Sequence, residues 1–274
     1  MRLRIAHSTT YRYEPPATGV IQIIRMTPRS YDGQYVADWQ VFVSTDSRMQ
    51  MHQDAYGNIT HVLTHGAIAD LTINVEGLVE THDTSGVLKG TDERFPPDFF
   101  LRSTALTEVS AEMRAFAHDL RPVSDDDTLG FLHGLLLQIN EHMTFDIDPT
   151  NAGTTAADAF ALRRGVCQDY AHIFIACARS GGVPARFVSG HFLRSDGVVQ
   201  QDAGHAWAEA FVPKLGWVGF DAANAISTTD SHVRVAIGLD YLGAAPVRGT
   251  RYGGGTETLS VAVNVNQAGR QSQS

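Results

Sequence analysis

The chain opens with apolar positions spaced two apart. Leu3, Ile5 and His7 alternate with Arg2, Arg4 and Ala6, and Tyr11 and Tyr13 keep the spacing. Ile21, Ile23 and Arg25 form a second alternating run, ended by Pro28. A third covers Val36 to Thr45, with Trp39, Val41 and Val43 on one face. Met49 to Asp54 and Ile59 to Thr64 flank the segment Asp54-Ala55-Tyr56-Gly57-Asn58, where Gly57 and Asn58 can take the positive φ of a hairpin loop. Leu71, Ile73 and Val75 begin the next run. Short strands punctuated in this way predict an antiparallel β-sandwich domain over residues 1–90. His61, His65 and His82 lie on these strands and read as exposed strand histidines, not as metal ligands.

From Asp83 to Leu101 the period disappears, and Phe95-Pro96-Pro97 marks a linker, bounded at 91–106, with Phe99-Phe100-Leu101 docking between domains. Beyond it the spacing changes from two to 3.6. Thr107 is placed to cap a helix carrying Val109, Met113, Phe116 and Leu120, ended by Pro122. Ser124-Asp125-Asp126-Asp127 starts a second, carrying Leu129, Leu132, Leu135, Leu136, Ile139 and Met143; the three acids read as a solvated helix start. Thr154 or Thr155 starts a third helix, ended by Gly165. The fourth begins at Cys167, shows Tyr170, Ala171, Phe174, Cys177 and Ala178 on one face, and stops at Gly181-Gly182 before Pro184. Strands then return at Arg186 to Leu193, at Gly204 to Val212 and at Trp217 to Asp221, with Val233 to Ile237 and Leu259 to Val265 as further candidates. The whole is an α+β chain: a sandwich domain, a core over 107–266, and a tail at 267–274.

Cys167 gives this pattern a chemical centre. It sits in the first turn of its helix, where unpaired N–H groups and the positive end of the dipole favour a thiolate, the nucleophilic form of cysteine. Cys177 lies ten residues on, nearly three turns along the same helix; it cannot bridge to Cys167 and reads as a core thiol. A cysteine nucleophile needs a base, and the base needs a third group to orient it. His205, Trp207, Glu209 and Phe211 share one face of their strand, and His205 opens that strand where a side chain can reach a cleft. A two-residue hairpin about Lys214-Leu215 would put Asn224 opposite His205; a one-residue shift would bring Asp221 onto the His205 face instead. Spacing leaves both open.

The remaining observations narrow the class. The net charge of −9 over 274 residues argues against nucleic acid and anionic membranes as partners. The first residues lack the apolar run of a signal peptide, no window could span a bilayer, and two cysteines make no disulfide framework, so the expected compartment is the cytoplasm. The 12 histidines include no compact ligand motif, and no metal or other cofactor is expected.

Four blocks in order, Gly165-Val-Cys-Gln-Asp-Tyr-Ala-His172, Val183-Pro-Ala-Arg-Phe-Val-Ser-Gly190, Gly204-His-Ala-Trp-Ala-Glu209 and Gly216-Trp-Val-Gly-Phe-Asp221, resemble the core of the bacterial transglutaminase-like family. His7, Thr10, Tyr11 and the Asp54–Asn58 loop resemble the sandwich domain that precedes this core in many members. The resemblance implies a papain-like core of helices on an antiparallel sheet. It implies Cys167 as nucleophile, His205 as general base, Asp221 as orienting carboxylate, and the Cys167 N–H as one oxyanion donor. Trp207, Phe145, Gln168 and Asp169 are the residues expected to line the substrate cleft, although Trp207 also fits a core position and Asp169 a helix cap. His172 lies on a different helix face and fits a structural role. Two positions depart from the family pattern: Ala222 stands where relatives often have Pro, and Phe145 where they often have a tyrosine near the site. The implied activity is thioester chemistry on amide bonds of a peptide or protein, with hydrolysis favoured over transfer to an amine. The alternative is a weakly catalytic or non-catalytic peptide-binding module.

Overall fold

A computed structural model describes residues 1–120 and 127–269 of the chain. Its elements run β1 (Arg2–Thr27), β2 (Gln34–Val43), β3 (Arg48–Gln53), β4 (Ile59–His65), β5 (Ile68–Thr81), α1 (Ala111–Asp119), α2 (Thr128–His142), β6 (Thr144–Phe145), α3 (Ala156–Leu162), β7 (Arg164–Gly165) and α4 (Cys167–Ser180). They continue with β8 (Ala185–Phe192), β9 (Gln200–Gln201), β10 (His205–Val212), β11 (Gly216–Asp221), β12 (Ile226–Ser227), β13 (His232–Gly238), α5 (Tyr241–Ala244), β14 (Val247–Gly253) and β15 (Thr256–Gln267).

The N-terminal alternation builds one long strand, where the spacing alone suggests separate runs. β1 pairs with β5 and β15 along its first half and with β4 and β14 along its second. Its register with β5 breaks between Arg12 and Ala17, beside Pro15-Pro16. The two flanking hairpins turn at that same level, so the eight-stranded sheet folds over itself there. Tyr11, Tyr13 and Leu71 from one half and Val20, Ile24 and Leu63 from the other share a single core. This is the sandwich, made from one bent sheet. The bulge also changes the inward face. In the second half Val20, Gln22, Ile24 and Met26 are buried, whereas Ile21, Ile23 and Arg25, the alternating set read from sequence, are only half-buried.

The C-terminal strands belong to this sheet too. β14 and β15, read from sequence as part of the core over 107–266, pair antiparallel with β1, and β15 runs to Gln267. The chain therefore returns to its first strand at its end. Gly253 and Gly254 take φ of +64° and +75° in the turn between β14 and β15, a conformation that glycine adopts without Cβ strain.

The second sheet has the order β12-β11-β10-β8-β13. One face carries the helices. Ala206, Ala208 and Ala210 of β10 lie against α4, whose residues Asp169 to Arg179 are all buried. α4 is thus enclosed all round by α1, α2, α3 and the sheet, beyond the single apolar face read from sequence. Each fully buried side chain of Ile173 or Phe174 size contributes about 1.5–3 kcal/mol relative to exposure. The helix starts agree with the polar signals: Asp127 accepts from Gly130 N at 2.8 Å and Thr155 from Asp158 N at 3.1 Å. α1 is capped one turn later than read, by Ser110 accepting from Met113 N at 3.2 Å, while Thr107 closes a short 3-10 turn. Pro122 and Ser124–Asp126 lie outside the described residues.

The linker does more than connect. Leu88 N bonds Trp217 O at 2.9 Å and Gly219 N bonds Gly86 O at 2.9 Å, laying the segment along β11. Phe100 is buried against Trp217, whereas Leu101, expected to dock with it, is 37% exposed. Two side-chain amides of the N-terminal sheet cover the outer edge of β13. Asn58 donates to Ile237 O at 2.8 Å and accepts from Ile237 N at 2.9 Å. Gln34 donates to Arg234 O at 2.9 Å and accepts from Arg234 N at 2.8 Å. Each amide supplies one donor and one acceptor, as a neighbouring strand would, and closes an edge otherwise open to pairing.

Candidate active site

The turn before Cys167 is held by Asp169. Its Oδ2 accepts from Val166 N at 2.8 Å and from Thr150 Oγ1 at 2.7 Å. A Cβ on Gly165 would overlap this carboxylate, so glycine is required there. Burial raises the Asp169 pKa against the lowering effect of the two hydrogen bonds. With 1% exposure, Asp169 is a cap that fixes the turn before Cys167, and no surface of it reaches a cleft. β6 pairs in parallel with β7, Phe145 opposite Gly165, the residue two before Cys167, and the Phe145 side chain is 54% exposed. Gln168 is half-buried, and its Nε2 is enclosed with no hydrogen-bond partner. Cys167 itself is half-buried.

The hairpin decides the third group. β10 and β11 pair Val212 with Gly216 through Ala208 with Phe220, one residue off the two-residue hairpin. That register sets Asp221 across from Trp207 and onto the His205 face. His205 Nε2 donates to Asp221 Oδ2 at 2.6 Å, and the Cys167 side chain lies beside the same ring and helps to hold it protonated. With Nε2 committed to Asp221, the nitrogen left for Cys167 is Nδ1. Asn224 joins the site in a supporting role, its Nδ2 donating to Asp221 Oδ2 at 2.7 Å. Cys167, His205 and Asp221 therefore stand in a line.

The electrostatics follow from this geometry. Burial alone would lower the His205 pKa; the Asp221 charge and hydrogen bond, with the Cys167 side chain, outweigh it and raise it to about 10. Burial would likewise raise Asp221, but the His205 charge and the hydrogen bonds from His205 and His232 hold it far below the usual carboxylate range. An imidazolium at neutral pH is the form that stabilises a thiolate and can protonate a leaving nitrogen.

Trp207 is 2% exposed and packs on the His205 and His232 rings at 6.0 and 5.2 Å. It is a floor beneath the His205–Asp221 pair, in the core position, and is almost wholly enclosed. His172 is fully buried, accepts from Tyr241 N at 3.0 Å, and is structural. Glu209 is buried between Arg186 and Arg234, both at 2.6 Å, and Arg186 also bonds Glu93 of the linker. Arg186 lies over the Trp217 ring at 3.9 Å. This four-membered ion network fastens the linker behind the site; the sequence marks Glu209 as either a paired buried acid or a rim residue, and the structure makes it the former, but the other members lie 23 to 116 positions from it along the chain.

His232 is the residue the sequence reading missed. Its Nε2 lies 3.2 Å from Asp221 Oδ2, and its Nδ1 accepts from Thr229 N at 3.1 Å. His205, Asp221 and His232 gather their ligand atoms within 4.8 Å, a spacing a metal ion could bridge. The tautomer opposes that use. A neutral histidine ligating through Nε2 carries its proton on Nδ1, but Nδ1 here faces a backbone N–H, which can only donate. His232 instead carries its proton on Nε2 and gives it to Asp221.

Comparison with known proteins agrees with this site. The Transglutaminase-like superfamily core matches residues 114–222, which contain Cys167, His205 and Asp221, and the Bacterial transglutaminase-like N-terminal region matches residues 3–80. An uncharacterised protein of Mycobacterium leprae is 29% identical over 281 residues, covering 97% of this chain and 99% of its own. A protein-glutamine gamma-glutamyltransferase of Pseudomonas aeruginosa is 30% identical over 158 residues, covering 52% of this chain and 23% of its own. A crystal structure described as a candidate cysteine protease from Cytophaga hutchinsonii superposes with a TM-score of 0.79 at 19% identity, covering 100% of this chain and 92% of that one, which establishes a shared fold. With the N-terminal region and the core both matched in order around the Cys–His–Asp line, the chain belongs to the transglutaminase-like superfamily.

Proposed function

We propose that this protein is a cysteine-dependent enzyme acting on amide bonds of peptides or proteins, and that it releases its acyl group to water. The observation that carries the reading is the alignment of Cys167, at the start of a buried helix, beside a His205 whose Nε2 is held by Asp221 at 2.6 Å. In the first step the thiolate of Cys167 bonds to the amide carbon, and the carbonyl electrons move to oxygen. The Cys167 N–H, which has no partner within the helix at that position, can donate to that oxyanion. The C–N bond then breaks as His205 gives its proton to the departing ammonia or amine, leaving a thioester and a neutral imidazole. Acylation removes the thiolate charge that helped keep His205 protonated, so the ring becomes a better base in the second step. It takes a proton from water, the hydroxide adds to the thioester, and collapse returns the thiol and a carboxylic acid.

Hydrolysis is favoured because water is always present at high concentration and needs no binding site. The test is to incubate the protein with glutamine-containing peptides, with and without an added primary amine, and to follow ammonia and peptide mass. Conversion of glutamine to glutamate, or backbone cleavage, supports the reading. An amine adduct forming faster than hydrolysis would make it a transferase, and no reaction on a broad peptide panel would favour a peptide-binding module.

A further inference from the structure

We propose that His232 is a positioning residue for this chemistry, and that the N-terminal sheet is what aims it; the inference rests on the thiol-enzyme reading above. Asp221 must keep Oδ2 at 2.6 Å from His205 Nε2 for the other ring nitrogen to stay on Cys167. Asn224 holds both oxygens from the following turn, its backbone N donating to Oδ1 at 3.3 Å and its Nδ2 to Oδ2 at 2.7 Å. His232 adds a hold from a different strand, donating its Nε2–H to the same Oδ2 at 3.2 Å.

The His232 ring is itself fixed. It is 5% exposed, lies 4.6 Å from the Phe192 ring and 5.2 Å from Trp207, and is tied at Nδ1 by Thr229 N. Its backbone is fixed on both sides by the other sheet. Thr81 Oγ1 donates to Asp230 O at 2.5 Å, and the Gln34 amide clamps both backbone groups of Arg234. Strands β2 and β5 thus hold the segment that holds the carboxylate. The groups facing His232 are Asp221 and His205 on one side and, across a polar cavity of about 20 Å³, His82, Glu209 and Arg234. This gives the N-terminal sheet a part in the reaction without any contact with substrate.

The experiment measures iodoacetamide alkylation of Cys167 against pH for the full chain and three variants. His232→Phe keeps the ring packing and removes the donor; His232→Gln keeps a donor near the Nε2 position; Gln34→Ala loosens the clamp. Low-pH reactivity, relative to reactivity in alkali where any thiol is ionised, is expected to fall about tenfold in His232→Phe, to recover most of that loss in His232→Gln, and to fall by a smaller factor in Gln34→Ala. Wild-type ratios in both His232→Phe and Gln34→Ala would overturn the proposal. So would an equal loss in the Phe and Gln variants, which would mean packing and not hydrogen bonding. If His232→Phe fails to fold, the Gln34→Ala and His232→Gln pair still decides. A wild-type Cys167 without low-pH reactivity would instead refute the thiol-enzyme reading itself, before any variant is compared.

Discussion

Three buried histidines make the fold sensitive to mild acid. Burial lowers the pKa of His7 to about 4, of His172 to about 4, and of His191 to about 3, the last with a further contribution from the nearby His7. Their ordinary value is 6.5. The folded chain holds these rings neutral, while the unfolded chain binds a proton on each below that value. The stability they contribute is therefore complete above about pH 6.5 and is lost progressively as pH falls from there toward the folded values. At about pH 5 the unfolded state gains about 2 kcal/mol per ring, or about 6 kcal/mol for the three. That is comparable with the whole stability of many domains, ~5–15 kcal/mol. His232, lowered chiefly by burial, adds to the effect with the same sign. The assay is thermal unfolding from about pH 7.5 to about pH 5, where the midpoint should drop by roughly 15 °C. His191→Phe should reduce that drop by about a third, whatever its effect at neutral pH. A midpoint that stays flat over this range, or a drop unchanged in His191→Phe, refutes the reasoning. His205 acts in the opposite direction: its raised value gives a contribution complete below about pH 6.5 and lost as pH rises through about 10.

Other perturbations test separate parts of the structure. Arg186→Met leaves Glu209 with one partner and Glu93 unpaired, and should cost about 3–5 kcal/mol in urea unfolding. Asp169→Ala frees Val166 N and Thr150 and should cost about 1–2 kcal/mol; measured turnover should fall by more than this stability loss explains, because the freed turn carries Cys167. Asp221→Asn keeps the shape but removes the charge that holds His205 protonated, and should lower kcat by on the order of a thousandfold or more with the fold intact by circular dichroism.

What the sequence revealed, and what it hid, divides by range along the chain. Helix starts were legible because caps act within four residues: Asp127 and Thr155 are read correctly, and Ser110 displaces Thr107 only because a short 3-10 turn intervenes. Cys167 and His205 could be singled out because Cys167 announces a helix start and His205 opens a clean alternation. The choice between Asp221 and Asn224 was not, since one residue of hairpin register moves a side chain to the other face. The last strand was misplaced for a similar reason. Leu259–Val265 is visibly a strand, but nothing local says that its partner is β1, more than 240 residues earlier. His232 was invisible because its role comes from β13 lying beside β8, not from its neighbours in sequence. Trp207 and Asp169 could each be read two ways, and burial settles both as supports of the site.

The most direct test of the central claim is alkylation of Cys167 by iodoacetamide across the pH range, read by peptide mass, in wild type and in His205→Ala. The account predicts that Cys167 reacts readily well below the pH at which an ordinary thiol does, that removal of His205 abolishes this low-pH reactivity, and that Cys177, fully buried with its thiol pushed up to about 12, stays silent in both. A Cys167 that behaves as an ordinary thiol, or one indifferent to His205, would contradict the thiol–imidazole pair on which the proposed chemistry depends.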